Sequence, residues 1–324
     1  MRPRRLCGEH SILGGNVIGY IIRRCLFAIP VVIVSSILAF LFIHAIPGDP
    51  VKVMLGNNYD PQLATHIRHN LHLDEPLIPQ YLKWMSNAIR GDFGRSYVMQ
   101  SDVSELLLER APTTVLLAIG SILVGMLIGI PAGIISATKK DTLFDTLSRI
   151  ISMIGVSMPV FWIGLLMLIW IALKTGLFPT SGGIEEYGLR GMVLPCVSLG
   201  ITMSAIIMRI TRSSMLEELR MDYVQTARAK GLHENVVVYK HVLKNAISPV
   251  ITIIGLQLGY LLGGAVLTET VFNLPGLGRL FVNALHSLDY PVVQACFLLF
   301  VGVFVFANLI VDICYVIVDP RIKL

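Results

Sequence analysis

The stretch TTVLLAIGSILVGMLIGIPAGIISA, residues 113–137, carries no charged side chain from end to end. As a helix rising about 1.5 Å per residue, it outreaches the roughly 30 Å hydrocarbon core of a bilayer. In lipid the backbone must satisfy its own hydrogen bonds, which leaves only a helix or a closed barrel. The run lacks the alternation of a barrel strand and therefore reads as a transmembrane helix. Gly125, Gly129 and Gly133 recur at every fourth position. They line one face, a groove in which a second helix backbone can settle.

Working outward, residues 25–46, 150–173, 191–210, 249–272 and 293–318 have the same character. The whole chain agrees: 54% of its 324 residues are hydrophobic, 15% are charged, and the mean hydropathy is +0.72. That balance excludes a water-soluble domain of this size. The reading is an all-α integral membrane protein with six transmembrane helices. Basic residues orient it. Arg2, Arg4, Arg5, Arg23 and Arg24 stand before or at the start of the first span, and Lys139, Lys140 and Arg149 lie between the second and third. Arg209, Arg212, Arg220, Arg228, Lys230, Lys240 and Lys244 gather between the fourth and fifth, and Arg321 and Lys323 follow the sixth. Both the N and the C terminus are thereby expected in the cytoplasm.

The layout that follows has a lead-in and first span at 17–46, an external segment at 47–112, a cytoplasmic loop at 211–248, an external loop at 273–292 and a tail at 319–324. Residues 1–16 form an N-terminal extension, unless translation begins at Val17. The first span ends without a small-residue cleavage site and reads as a retained anchor. The net charge of +5 follows from the cytoplasmic excess and calls for no nucleic acid. Cys7, Cys25, Cys196, Cys296 and Cys314 are scattered and read as small packing residues.

The fifth span repeats the glycine pattern at Gly255, Gly259 and Gly263. Static packing explains either row of glycines, and so does a path whose helices slide. Gly255, Gln257, Gly259, Gly263 and Glu269 are the candidate pore or gate residues. Pro131, Pro159 and Pro195 are candidate kinks. Glu269 is read either as a contact at the pore mouth or as an interfacial, solvated carboxylate, and Asp312 as the structural partner of a base such as Arg321. His66, His69 and His72 are weak metal candidates, since three residues spread over a helix face strain to share one ion; no metal is assigned. The sequence holds no phosphate loop, HExxH or GxSxG, and so nothing with which to hydrolyse ATP.

The cytoplasmic loop contains DYVQTARAKG, residues 222–231. Asp222 reads as the N-cap, Gln225 as its capping-box partner, Gly231 as a left-handed C-terminal stop and Leu232 as the hydrophobic clasp. A helix this short is not stable alone in water. The small Ala227 and Ala229 suit a ridge seated in a groove of another protein.

DYVQTARAKGL followed by KHVLKNAISPV resembles the coupling loop of binding-protein-dependent ABC transporter permeases, specifically the first permease of the dipeptide, oligopeptide and nickel import group. HAIPGDP, LDEPLIPQY, GDFGRSY, GVSMPVFW, LTETVFNLPGLGRL, DYPVVQA and NLIVDICYVIVDPRI extend the likeness along the chain. Of the group's general loop pattern, Ala227, Gly231 and Leu243 are kept. Its glutamate position holds Gln225. The resemblance implies a type I ABC importer permease fold in a bacterial inner membrane, with no enzyme activity of its own. It implies as partners a homologous second permease, two ATP-binding subunits that hold ATP and Mg, an extracytoplasmic solute-binding protein and membrane lipid. The ATPase contact would be Tyr223, Gln225, Thr226, Ala227, Arg228, Ala229, Lys230, Gly231 and Leu232, supported by Leu243. The cargo would be di- or oligopeptides, with nickel, metallophore or glutathione-type import as the alternative. A membrane sensor or scaffold is the competing class.

Overall fold

A computed structural model describes residues 10–45, 50–55, 60–70, 73–96 and 98–318. Helices dominate. In chain order they are α1 (His10–Ala45), α2 (Pro50–Leu55), α3 (Pro61–Asn70), α4 (Leu77–Ile89), α5 (Val103–Thr138), α6 (Leu143–Ser157) and α7 (Val160–Met167). They continue as α8 (Ile184–Tyr187), α9 (Leu189–Glu218), α10 (Asp222–Ala229), α11 (Glu234–Val236), α12 (Leu243–Val271), α13 (Leu277–His286) and α14 (Tyr290–Val318). Two π-helical turns, Leu168–Leu173 and Val237–Val242, extend α7 and join α11 to α12.

Among the described residues five helices are long and apolar enough to cross a membrane, and the pair α6 and α7 makes a sixth crossing if counted as one span. In the third expected span, 150–173, the candidate kink at Pro159 is a full break. The chain turns by 102° between α6 and α7. Pro159 explains the break: it donates no backbone hydrogen bond and drives the residue before it out of helical geometry. Met158 indeed sits at φ −82, ψ 129. By contrast, α5 runs on through Pro131 and α9 through Pro195.

Among the described residues α5 and α9 share the most extensive helix packing. A Cβ on Gly129 would lie 2.7 Å from the Ser204 carbonyl oxygen, and one on Gly133 would lie 2.6 Å from Thr211 Cβ. From the other side, a Cβ on Gly200 would meet Val124 at 2.6 Å. The first glycine row is therefore packing, and it seats α9 as the most enclosed of the spans. Val115, Ile119, Leu123 and Leu127 stay exposed along another face of α5, the surface left for lipid or a partner. The second row divides. Gly255 is buried, Gly259 backs directly onto the Phe304 ring of α14, and Gly263 faces open space.

α4 folds back over the C-terminal half of α1. The Ser36 and Tyr81 hydroxyls share a hydrogen bond of 2.8 Å, and the Phe40, Tyr81 and Trp84 rings cluster beside it. Gly129→Val is expected to lower stability by about 1–3 kcal/mol through overpacking, while Gly263→Ala leaves it unchanged. Thermal unfolding of the two variants in detergent checks both.

Candidate functional site

At one end of the bundle, α9 turns through three residues into α10. Met221, extended at φ −72, ψ 146, is the N-cap, and no side chain caps the helix. The expected capping box is thus corrected: Asp222 is the first helical residue, and Gln225 lies a position too far along to reach back as its partner. Asp222 still places a negative charge at the positive end of the helix dipole.

The C-terminal stop takes the expected form. Gly231 adopts φ +76; its N–H donates to the Arg228 carbonyl at 2.9 Å and the Leu232 N–H to the Ala227 carbonyl at 3.4 Å. This pair of bonds is a Schellman motif, and it requires a residue tolerant of the left-handed region. Leu232 itself is largely exposed. Arg228 forks onto Glu234 with Nε to Oε2 at 3.1 Å and Nη2 to Oε1 at 2.5 Å, tying the helix end to α11.

Ala227 does not face a partner. Together with Val224 it is buried against Ile134, Ala137, Met215, Val237, Val238, Val242 and Ala246 of this chain, with Leu219 and Leu243 beside them. Eight residues carry only two inward positions at helical spacing, so the small Ala227 lets α10 lie close to its own bundle. The outward face is Tyr223, Gln225, Thr226, Arg228, Ala229, Lys230, Gly231 and Leu232. The Tyr223 hydroxyl donates to Glu218 Oε2 at 2.6 Å; partial burial, reinforced by that carboxylate, pushes the phenol above its ordinary range. It stays protonated and holds α10 to the end of α9.

The same end contains a cluster that the sequence reading counted only as charge. Asp145, at the start of α6, is wholly buried, and Arg212 of α9 grips both its oxygens, at 2.7 and 2.8 Å. Ser136 of α5 donates to Asp145 at 2.6 Å. An aspartate and an arginine each flanking an apolar run was the available signal, but nothing in the sequence paired them.

Glu269 requires another correction. It is not a solvated, interfacial carboxylate: its side chain is completely buried. Thr114 Oγ1 donates to Oε1 at 2.6 Å and the Arg279 N–H to Oε2 at 2.9 Å, while the Leu277 N–H donates to Thr114 Oγ1 at 2.9 Å. These are first-turn donors of α13, groups a helix cannot satisfy internally. The carboxylate is therefore the anchor for that helix N-terminus, and Gly276 leaves no room between them for a Cβ. A second buried carboxylate, Asp289, accepts from Ser96; burial pushes it above the usual carboxylate range.

Gln257 is buried in mid-helix. Asn308 donates back to the Phe304 carbonyl at 2.9 Å, while the side chain of Asp312, and Arg321 altogether, lie outside the described residues. His66 and His69 are exposed on α3, and His72 lies outside the described residues. Among the described residues no three His, Cys, Asp or Glu side chains assemble for a metal ion. Cys196 and Cys296 are buried free thiols, Cys25 is an exposed one, and the Cys7 and Cys314 side chains are outside the described set.

A bundle of apolar crossings with a short polar helix packed on one end defines a multi-pass membrane protein. The chain belongs to the family described as binding-protein-dependent transport system inner membrane component, whose model matches residues 129–324, with the family's N-terminal model matching 17–118. It is 41% identical over 307 residues to the glutathione transport system permease protein GsiC of Escherichia coli K12, covering 95% of this chain and 99% of that one. It is also 41% identical over 332 residues to the dipeptide transport system permease protein DppB of Alkalihalophilus pseudofirmus, covering 95% and 100%. The inward-facing MetNI methionine ABC transporter shares the fold, with TM-score 0.53 at 20% identity over 66% of this chain and 96% of that one. The chain is thus the permease subunit of an ABC importer in the inner membrane, not a member of a catalytic family.

The Glu269 anchor generates a direct test. Thr114→Val and Glu269→Gln should each cost about 1–3 kcal/mol by stranding buried polar groups. Unfolding of both single variants and the double variant should show a coupling of roughly 0.5–3 kcal/mol.

Proposed function

We propose that this chain forms half of the translocation path of an ATP-driven importer for di- or oligopeptides, with both of its termini in the cytoplasm. A homologous second permease completes the path, two ATP-binding subunits sit below it, and a solute-binding protein delivers cargo from above. ATP and Mg belong to the partner subunits, for this sequence supplies no phosphate loop. The observation that carries the reading is α10: a helix too short to stand alone is fastened to its bundle by Val224 and Ala227 and presents all its remaining side chains outward. Such an element moves as a unit with α9 and takes up a push from a docked ATPase. Closure of the ATPase pair would then shift the bundle between two packed arrangements.

The relatives support peptide cargo, since one is named for dipeptides and the other for glutathione, itself a tripeptide. Glutathione is the second reading within the same class. Nickel import draws no support from His66 and His69, which stand exposed.

Gly231→Pro fixes φ near −65° and removes the N–H that bonds Arg228. Ala227→Trp has no space against Val237 and Val242 and displaces α10 from its seat. Both variants should insert and assemble but lose uptake of a radiolabelled dipeptide and of glutathione in proteoliposomes holding the whole complex. Gly231→Ala, which keeps the N–H at a conformational cost of about 1–2 kcal/mol, should retain part of the uptake. Full uptake by Gly231→Pro and Ala227→Trp together would refute the assignment.

A further inference from the structure

The buried carboxylate of Asp145 joins three separate segments. Its Oδ1 accepts from Ser136 Oγ of α5 at 2.6 Å and from Arg212 Nε of α9 at 2.7 Å. Its Oδ2 accepts from Arg212 Nη2 at 2.8 Å and from the Asp141 N–H at 3.1 Å. Arg149 adds a looser charge contact at 3.9 Å. A bidentate guanidinium–carboxylate pair fixes distance and angle together. Buried pairs of this kind contribute little net stability against an apolar substitute, and their best-attested use is to set register.

Their position in the fold gives that register a purpose. Arg212 lies in the last two turns of α9, which lead through Leu219–Met221 directly into α10. Asp145 opens α6, whose other end is the 102° turn at Met158 and Pro159. Beyond the turn, Gly164 of α7 lies against Phe272 and Val271 at the far end of α12. Further along, α6 meets α9 where Gly155 faces Ala205, an apolar contact that fixes no direction.

We infer that Asp145 and Arg212 are positioning residues of the transport cycle, a rigid link that carries displacement of α10 and the end of α9 into α6 and the α6–α7 turn. The link rests on the reading of α10 as the ATPase contact. Ser136 aims the carboxylate, and Arg212 transmits the movement.

The test uses the full complex in proteoliposomes, with Cys7, Cys25 and Cys314 replaced by serine and one reporter introduced at a time. Ala229→Cys reports on α10 and Ser157→Cys on the turn; both positions are exposed. Alkylation rates by a maleimide are compared with and without ATP and vanadate. With the native pair, both rates should change by at least about fivefold, the lower end of ordinary coupling between sites. With Asp145→Asn, the Ala229→Cys response should persist while the Ser157→Cys response falls away. Arg212→Lys, which keeps the charge but loses the fork, should give an intermediate response at Ser157→Cys and serves if the asparagine variant does not assemble. An unchanged Ser157→Cys response in either variant overturns the link, and so does loss of both responses together, which marks a purely structural role. If Ala229→Cys fails to respond even with the native pair, the ATPase-contact reading is what falls, and the link falls with it.

Discussion

The architecture depends on how closely α5 and α9 approach one another. Between membrane helices there is little hydrophobic drive, because lipid tails are as apolar as leucine, so association relies on close backbone packing and polar contacts. Gly125, Gly129, Gly133 and Gly200 remove the side chains that would hold the two helices apart. With α9 enclosed in this way, the α5–α9 pair becomes the frame against which α6, α7 and α12 pack. Each end of that frame is then closed by a buried carboxylate. Asp145 ties α6 to α5 and α9, and Glu269 ties the α13 N-terminus to α5 and α12.

In the proposed cycle the two carboxylates serve different parts. Glu269 answers backbone donors that cannot move without exposing unpaired groups, so it keeps one end of the molecule rigid. Asp145 joins side chains on helices that lead to α10 and to the α6–α7 turn, so its end can shift as a connected body. An importer needs this contrast: one region that holds its geometry while another relays a partner's motion. In the proposed reading the outward face of α10 is the ATPase contact, while the inward face, Val224 with Ala227, holds the helix to its bundle.

Much of this was legible in the sequence. Long apolar runs located the crossings, because a backbone in lipid must satisfy its own hydrogen bonds and these runs lack the alternation of barrel strands. Gly231 marked the end of α10, because a positive φ there favours glycine. The start of the helix was misjudged by one residue: Asp222 suits either the N-cap or the first turn, and Met221 shows no cap signature. Ala227 was taken for an outward ridge because an eight-residue amphipathic pattern does not say whether its apolar side meets its own bundle or a partner. The 102° turn at Pro159 was foreseen only as a kink, since proline tolerates many degrees of bend in a membrane helix. Asp145 with Arg212, and Glu269 with Thr114, are separated by 67 and 155 positions. Pairings at that distance are products of tertiary packing and leave no local pattern.

The central claim is that the exposed face of α10 is where the ATPase docks. Photo-cross-linking in the assembled importer tests it most directly, with benzoylphenylalanine replacing Lys230 on α10 or Leu127 on the exposed apolar face of α5. The account predicts an adduct with the ATP-binding subunit from position 230 and none with that subunit from position 127. Absence of any ATPase adduct from position 230, in a complex that still takes up cargo, would contradict it.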